Sequence, residues 1–109
     1  SNVAATDNTS VFYKRKFISF GEYKAFVVDD DFKALILDEN YKKPQVDFLI
    51  LSNNPSLSLT EILDYFDFNM IIIASSNSQK NLDKWKAENA SLKLDVFDVA
   101  EQGAFVLSY

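Results

Sequence analysis

The most constraining feature of this sequence is the stretch from residue 46 to residue 76, where two short apolar runs flank a helical pattern. Residues 46–51 and 70–74 are nearly continuous apolar runs, which are typical of strands buried on both faces of a sheet. Between them, Ser58 and Glu61 have the spacing of a capping box. The apolar residues that follow recur at helical spacing: Leu59, Ile62, Leu63 and Phe66. Two buried strands joined by a helix predict a right-handed parallel βαβ unit.

Polar residues follow each of the two predicted strands. Ligands of parallel α/β sheets usually bind just past the carboxyl ends of the strands. Here those ends carry residues 52–55 (Ser-Asn-Asn-Pro) and 75–77 (Ser-Ser-Asn), which include neither a histidine nor an acid. We interpret Asn53 and Asn54 first as structural residues whose amides hydrogen-bond to backbone groups at the strand end. The functional alternative is that they contact a nucleic-acid backbone or a partner loop.

The rest of the chain predicts a single α/β domain at residues 11–109, after a small, polar and flexible lead-in at residues 1–10. Three strands at residues 11–20, 23–29 and 33–38, with a hairpin turn at Gly21 and Glu22, predict an antiparallel meander. A helix follows at residues 78–90, with a second capping box from Ser76 to Gln79. A strand at residues 94–99, a turn at 100–103 and a last strand at 104–109 complete the predicted order βββ-βαβ-αββ.

Composition excludes several classes of function. The chain has no histidine and no cysteine, which rules out imidazole-based catalysis, a histidine zinc site, a thiolate metal site and a disulfide framework. It has only two glycines, Gly21 and Gly103, so there is no phosphate-binding glycine loop. A net charge of −5 disfavours direct contact with DNA phosphates. No apolar run approaches the roughly 20 residues that span a bilayer.

The acidic residues offer two further interpretations. Asp29, Asp30 and Asp31 follow an apolar strand, as in the acidic pocket of response-regulator receiver domains, but the next predicted strand begins too soon for the helix that a receiver needs. We therefore place these acids at a hairpin tip. An oxygen-only Mg²⁺ or Ca²⁺ site is the second possibility. The acids near predicted strand ends are scattered, which is more typical of solvent-facing positions: Asp38, Asp47, Asp95 and Asp98.

Two other features are interpreted as structural. The single tryptophan, Trp85, lies on the amphipathic helix and is expected in the core rather than on a ligand. The basic run Lys14-Arg15-Lys16 is expected on a solvated strand face or a guarded sheet edge rather than on nucleic acid or lipid.

Several residues in the second half match a known pattern in order and spacing. Asp47 precedes an apolar strand, Asn53-Asn54-Pro55-Ser56 follows it, and Asn77 lies in the loop after the next strand. After the strand at residues 94–99, the chain has an acidic turn at Glu101, then Gly103-Ala104 and the apolar residues Phe105 and Val106. Residues 46–109 thereby resemble the distal half of the metallo-β-lactamase-like domain at the carboxyl end of ComEC-family competence, or DNA-uptake, proteins.

The resemblance implies a degenerate site. In that family a His-His-Gly-Ser motif stands where this chain has Asn53 to Ser56, and a His-Pro pair follows the loop of Asn77. The strand that ends at Asp38 corresponds to the one whose aspartate bridges two metals. The residues of the vestigial site are then Asp38, Asn53, Asn54, Ser56 and Asn77. An asparagine amide cannot replace imidazole at a zinc site, so the implied fold is half of a metallo-β-lactamase fold without metal ligands.

The resemblance therefore implies a non-catalytic, soluble accessory domain of a bacterial inner-membrane DNA-uptake protein, with no metal and no cofactor. Its expected partners are the membrane portion of its parent protein or other uptake proteins, and no small-molecule substrate is expected. One alternative is a Mg²⁺- or Mn²⁺-dependent phosphodiesterase or nuclease that uses Asp38 with Asn53 and Asn54. Another is an unrelated α/β interaction module that recruits a partner strand at an exposed sheet edge.

Overall fold

The computed structural model describes residues 16–37 and 39–103. The predicted lead-in, the start of the first strand, Asp38 and the predicted last strand lie outside the described residues. The described chain forms a sequence of strands and helices, which are β1 (Phe17–Phe20), β2 (Tyr23–Val28), α1 (Phe32–Ile36), β3 (Phe48–Leu51), α2 (Leu59–Tyr65), β4 (Met70–Ile73), α3 (Gln79–Leu92), β5 (Val96–Asp98) and α4 (Val99–Gln102). None of these helices is long and apolar enough to cross a bilayer.

The strands form one five-stranded mixed sheet in the order β1-β2-β3-β4-β5. β1 and β2 pair antiparallel through the predicted hairpin turn, where Gly21 adopts a φ of 61°. All the other neighbours are parallel. The predicted βαβ unit is therefore confirmed as β3-α2-β4, and the α/β class is confirmed with it.

The predicted strand at residues 33–38 is wrong, because the chain forms helix α1 there. Phe32 and Leu35 lie one helical turn apart, and both are buried. Leu37 is 83% exposed, which a strand inside the sheet would not allow. Since β2 and β3 pair parallel, the chain must cross over between them, and a helix is the usual form of that crossover. The opening third is thus ββα and not an antiparallel meander.

Two smaller predictions also need correction. Helix α3 is capped by Ser78, whose hydroxyl accepts from the Asn81 N–H at 3.3 Å, and not by a box from Ser76 to Gln79. Ser76 instead accepts a hydrogen bond from the Asn53 N–H. The predicted turn at residues 100–103 is the short helix α4, which Asp98 caps by accepting from the Ala100 N–H at 3.0 Å.

The core lies between the sheet and the helices. Alternate residues of β2 show the division, because Phe26 and Val28 face the large cluster shared with the helices while Ala25 faces a smaller cluster on the opposite face with Phe48 and Ile72. Trp85 is 1% exposed, which confirms it as a core residue. Its indole N–H donates to the Leu57 carbonyl at 3.0 Å and so anchors α3 to the chain that enters α2.

Candidate functional site at the carboxyl edge of the sheet

The parallel register brings three chain segments to one edge. Val28, Leu51 and Ile73 are neighbours at the carboxyl ends of β2, β3 and β4. The segments that follow these residues therefore lie side by side at the edge where α/β sheets usually bind their ligands. Two groups of polar residues occupy it. We call Asn53, Asn54, Ser76 and Asn77 the amide cluster, and Lys16, Asp29 and Asp31 the acidic cluster.

The amide cluster joins the loop after β3 to the loop after β4. The N–H of Asn53 donates to Ser76 Oγ at 3.0 Å, and the N–H of Asn54 donates to Asn77 Oδ1 at 2.9 Å. Asn77 is 9% exposed, and its Nδ2 donates to the carbonyls of Leu51 and Ala74, both at 2.8 Å. This side chain therefore satisfies backbone groups from both strands.

Asn54 extends the same network to helix α3. Its Oδ1 accepts from the N–H of Ser78 at 2.6 Å and from Nδ2 of Asn81 at 3.0 Å. Helix N-termini leave backbone N–H groups without partners inside the helix, and an amide oxygen can satisfy them. Asn53 and Asn54 have φ values of 54° and 57°, a left-handed conformation that asparagine tolerates better than most residues.

The structure brings together only part of the predicted site. The side chains of Asn54 and Asn77 join one network, and Asn53 enters it through its backbone N–H. Ser56 lies exposed two positions beyond Asn54. Asp38 lies outside the described residues.

The acidic cluster was not predicted as a unit. Lys16 Nζ donates to both carboxylate oxygens of Asp29, at 3.0 and 3.2 Å, and to Asp31 Oδ2 at 2.9 Å. The Lys16 side chain is only 12% exposed. The acids therefore lie between β2 and α1 rather than at a hairpin tip, which corrects the sequence interpretation. The run from Lys14 to Lys16 and the run from Asp29 to Asp31 were the available signals, but nothing local showed that they meet.

The three charges change one another's protonation. Burial lowers the pKa of Lys16, but hydrogen bonds to Asp31 and Asp29 raise it by more, so that it lies above its ordinary value. Burial raises the pKa of Asp29, but hydrogen bonds from Asp31 and Lys16 lower it by more, so that it lies below its ordinary value. Burial and the hydrogen bond shared with Asp29 raise the pKa of Asp31. One ammonium thus binds two carboxylates, and hydrogen bonds from Asp31 and Lys16 together favour the charged form of Asp29.

A divalent metal site would need several oxygen ligands close together. Within residues 16–37 and 39–103, no three acidic side chains lie close enough together to hold one. The other acids considered as ligands lie apart, since Asp47 accepts from the Lys24 N–H before the start of β3 and Asp98 caps α4. Lys16 binds the oxygens of Asp29, and backbone or amide N–H groups bind those of Asn54 and Asn77.

The chain is an α/β domain with a mixed sheet, and the polar groups at the carboxyl edge of this sheet form hydrogen bonds with one another. A family model described as the ComEC C-terminal domain matches residues 2–109. The chain therefore belongs to the ComEC C-terminal domain family, as the resemblance predicted. This membership indicates a domain of a competence, or DNA-uptake, protein from a membrane-associated family. No curated protein and no solved structure matches the chain.

Proposed function

We propose that this chain is a non-catalytic, soluble accessory domain of a ComEC-like inner-membrane protein for DNA uptake. It acts by contacts with the membrane portion of its parent protein or with other uptake proteins. The observation that carries the proposal is that the polar groups at the carboxyl edge bind other groups of the same chain. Lys16 binds two carboxylates, and the amides of Asn54 and Asn77 bind backbone groups. A catalytic edge would need such groups directed at a substrate or a metal.

We further infer that the domain is the distal half of a metallo-β-lactamase-like fold without metal ligands. Three consecutive parallel strands, β3, β4 and β5, with α2 and α3 between them, support this inference. Where active relatives would present histidines after β3, this chain presents Asn53 and Asn54. Asn54 Oδ1 accepts from Ser78 and Asn81, so in this position the side chain links the β3 loop to α3.

The geometry gives less support to the alternative functions. A Mg²⁺- or Mn²⁺-dependent phosphodiesterase using Asp38, Asn53 and Asn54 would need amide oxygens that are available to the metal. Asn54 Oδ1 already accepts two hydrogen bonds, one of them at 2.6 Å. The family match argues against an unrelated interaction module.

The test is a calorimetric titration of the domain with Zn²⁺, Mn²⁺ and Mg²⁺, followed by a nuclease assay with each metal on single- and double-stranded DNA. We expect no saturable heat and no cleavage above the rate without protein. Asp38→Ala is the site variant, and Asp83→Ala, on the exposed face of α3, is its matched control. Metal-dependent cleavage that is lost in the first variant and kept in the second would overturn the proposal and make the chain an enzyme.

A second experiment tests the accessory role. In the parent protein, substitution of Asp38 by Ala should leave DNA uptake unchanged, because no reaction depends on that carboxylate. Removal of the whole domain should reduce uptake, because the contacts are lost. Uptake that survives removal of the domain would contradict an accessory role.

A further inference from the structure

A groove opens between helix α3 and the carboxyl ends of strands β4 and β5, on the helix-covered side of the sheet, and no residue of the amide cluster lines it. Its floor is apolar and is formed by Leu59, Ile73, Trp85 and Val96. Three of these residues are at most 1% exposed, so the groove reaches the main core. On its rim lie Lys86, Asp98 and Glu101, together with the polar side chains of α3 and α4.

The size of the groove favours a single side chain over a whole small molecule. It encloses about 300 Å³, which is at the bottom of the range for pockets that bind drug-sized ligands. A cavity of about 150 Å³ lined by apolar residues already admits benzene. The groove therefore has room for one aromatic or large aliphatic side chain with part of its backbone, which is how anchor residues bind at protein interfaces.

The charged residues on the rim favour a positive charge next to the inserted side chain. The Asp98 side chain is only 6% exposed, and its two oxygens are used by the Ala100 N–H and by Lys86 Nζ at 3.4 Å. Glu101 is 64% exposed and binds the same Lys86 at 2.7 Å. Two carboxylates thus face one ammonium, and the more exposed carboxylate can accept a second cation. The net charge of −5 adds to the attraction for a basic partner.

We propose that this groove is a docking site for a peptide segment of a partner protein, which inserts an aromatic side chain and places an adjacent arginine against Glu101. The inference rests on the proposed function, because it names the surface through which a domain that acts by contacts would bind. The two proposals fail separately. Metal and nuclease assays test the absence of catalysis, whereas peptide binding tests the groove.

The experiment uses three blocked dipeptides: acetyl-Phe-Arg-amide, acetyl-Phe-Glu-amide and acetyl-Ala-Arg-amide. The readout is the indole N–H signal of Trp85 in a ¹H–¹⁵N spectrum, which is unambiguous because the chain has one tryptophan. We expect saturable shifts with Phe-Arg, at least tenfold weaker binding of Phe-Glu, and no saturation with Ala-Arg. Equal binding of Phe-Arg and Phe-Glu would overturn the proposal, and so would an unchanged Trp85 signal.

Matched variants locate the binding. Ala90→Phe fills the groove and should abolish the Phe-Arg shift, whereas Ala87→Phe, also exposed on α3 but outside the groove, should leave it unchanged. Glu101→Gln should weaken Phe-Arg binding three- to tenfold and leave Phe-Glu binding no weaker. Binding that appears only in Phe105→Ala would overturn the proposal in favour of the chain's own last residues. A Trp85 shift that depends on protein concentration alone would overturn it in favour of a second copy.

Discussion

The two clusters at the carboxyl edge provide partners for buried polar groups in different ways. At the ends of β3 and β4, neutral amides satisfy buried backbone groups, and Asn77 bridges both strands. At the end of β2, the Lys16 ammonium binds two carboxylates that lie 13 and 15 residues further along the chain. The amide cluster has no group that titrates in the ordinary pH range, whereas the acidic cluster consists of three. This contrast predicts that the edge has one half that is insensitive to pH and salt and one half that depends on both.

The largest effect should come from the most buried amide. Asn77→Ala leaves the N–H of Asn54 without its partner. It also removes one of the two hydrogen bonds that each of the carbonyls of Leu51 and Ala74 accepts, and these carbonyls keep the backbone N–H groups of Ala74 and Asn77. The orphaned N–H costs about 1–3 kcal/mol and each of the two lost carbonyl hydrogen bonds about 0.5–1.5 kcal/mol, and part of the loss is recovered when water enters, so we expect the free energy of unfolding to fall by about 3 kcal/mol. Urea denaturation at pH 7 measures it.

The control for Asn77 is Asn69→Ala, an exposed asparagine before β4, which should change the free energy of unfolding by less than about 0.5 kcal/mol. If the two variants are equally stable, the amide cluster does not hold the two loops together, and the contrast between the clusters has no energetic basis.

Substitution of the lysine in the acidic cluster should lower the free energy of unfolding by about two-thirds as much as Asn77→Ala. Lys16→Met leaves Asp29 and Asp31 facing each other without a cation, and both carboxylates are partly exposed, at 19% and 35%. Removing one partner of a fully buried ion pair costs about 3–5 kcal/mol, and partial exposure reduces this to about 2 kcal/mol at pH 7. Urea denaturation in low salt measures the loss.

Lys43→Met is the matched control. Lys43 lies 3.4 Å from Asp67, but both side chains are about half exposed, at 43% and 54%. An exposed pair of this kind contributes about 0–1 kcal/mol. Equal losses for Lys16→Met and Lys43→Met would show that the acidic cluster is an ordinary surface ion pair.

A smaller effect should separate the hydrogen bonds of the Asn54 side chain from its backbone conformation. Asn54→Gly removes the amide that accepts from Ser78 and Asn81 but suits the φ of 57°. Ser78 remains the N-cap residue of α3, so only these two hydrogen bonds are lost. Their loss costs about 1 kcal/mol, and we expect that value from thermal or urea unfolding. Asn54→Ala should cost more, because alanine loses the same two hydrogen bonds and also tolerates the left-handed conformation poorly. A more stable alanine variant would contradict this assignment.

The parts of the fold that the sequence predicted correctly depend on local patterns. The capping box of Ser58 and Glu61 is present in the structure, with both hydrogen bonds formed. The helix between β3 and β4 follows from spacing within a few residues. The segment at α1 was misread because Ala34 to Leu37 is a short apolar run, which periodicity alone cannot assign to a strand or a helix. The deciding fact is the parallel pairing of β2 with β3, which is a long-range contact.

The same reasoning explains what could be predicted of the candidate site. The positions of Asn54 and Asn77 at neighbouring strand ends followed from the βαβ pattern. Their hydrogen-bond partners did not, because the bond between them joins residues 23 positions apart. Predicting the acidic cluster would have required two further facts about the fold. The chain before β1 reaches the end of β2, and a helix follows Asp31. No spacing within the sequence carries that information.

The last and smallest effect concerns how the difference in stability between the wild type and Lys16→Met varies with pH. The pKa of Lys16 is raised above 10.5, so its contribution is fully present below that pH and is lost as the pH rises through the folded value. The pKa of Asp29 is lowered below 3.8, so its contribution is present above that pH and is lost as the pH falls through the folded value. Burial and the hydrogen bond with Asp29 raise the pKa of Asp31 in both proteins, whereas Lys16 lowers it, so the stability that Lys16 contributes through this carboxyl is also lost as the pH falls.

The difference between the wild type and Lys16→Met should therefore be largest between the acidic range in which the two carboxyls titrate and the alkaline range in which Lys16 titrates, and it should shrink on either side. Urea denaturation of both proteins at one-unit pH intervals measures the profile. Asn54→Gly is the control, because no titratable group is changed and its difference from the wild type should be nearly flat across the same range. A flat profile for Lys16→Met would mean that the lysine acts through the packing of its aliphatic chain, and the two halves of the edge would then differ in composition but not in their electrostatics.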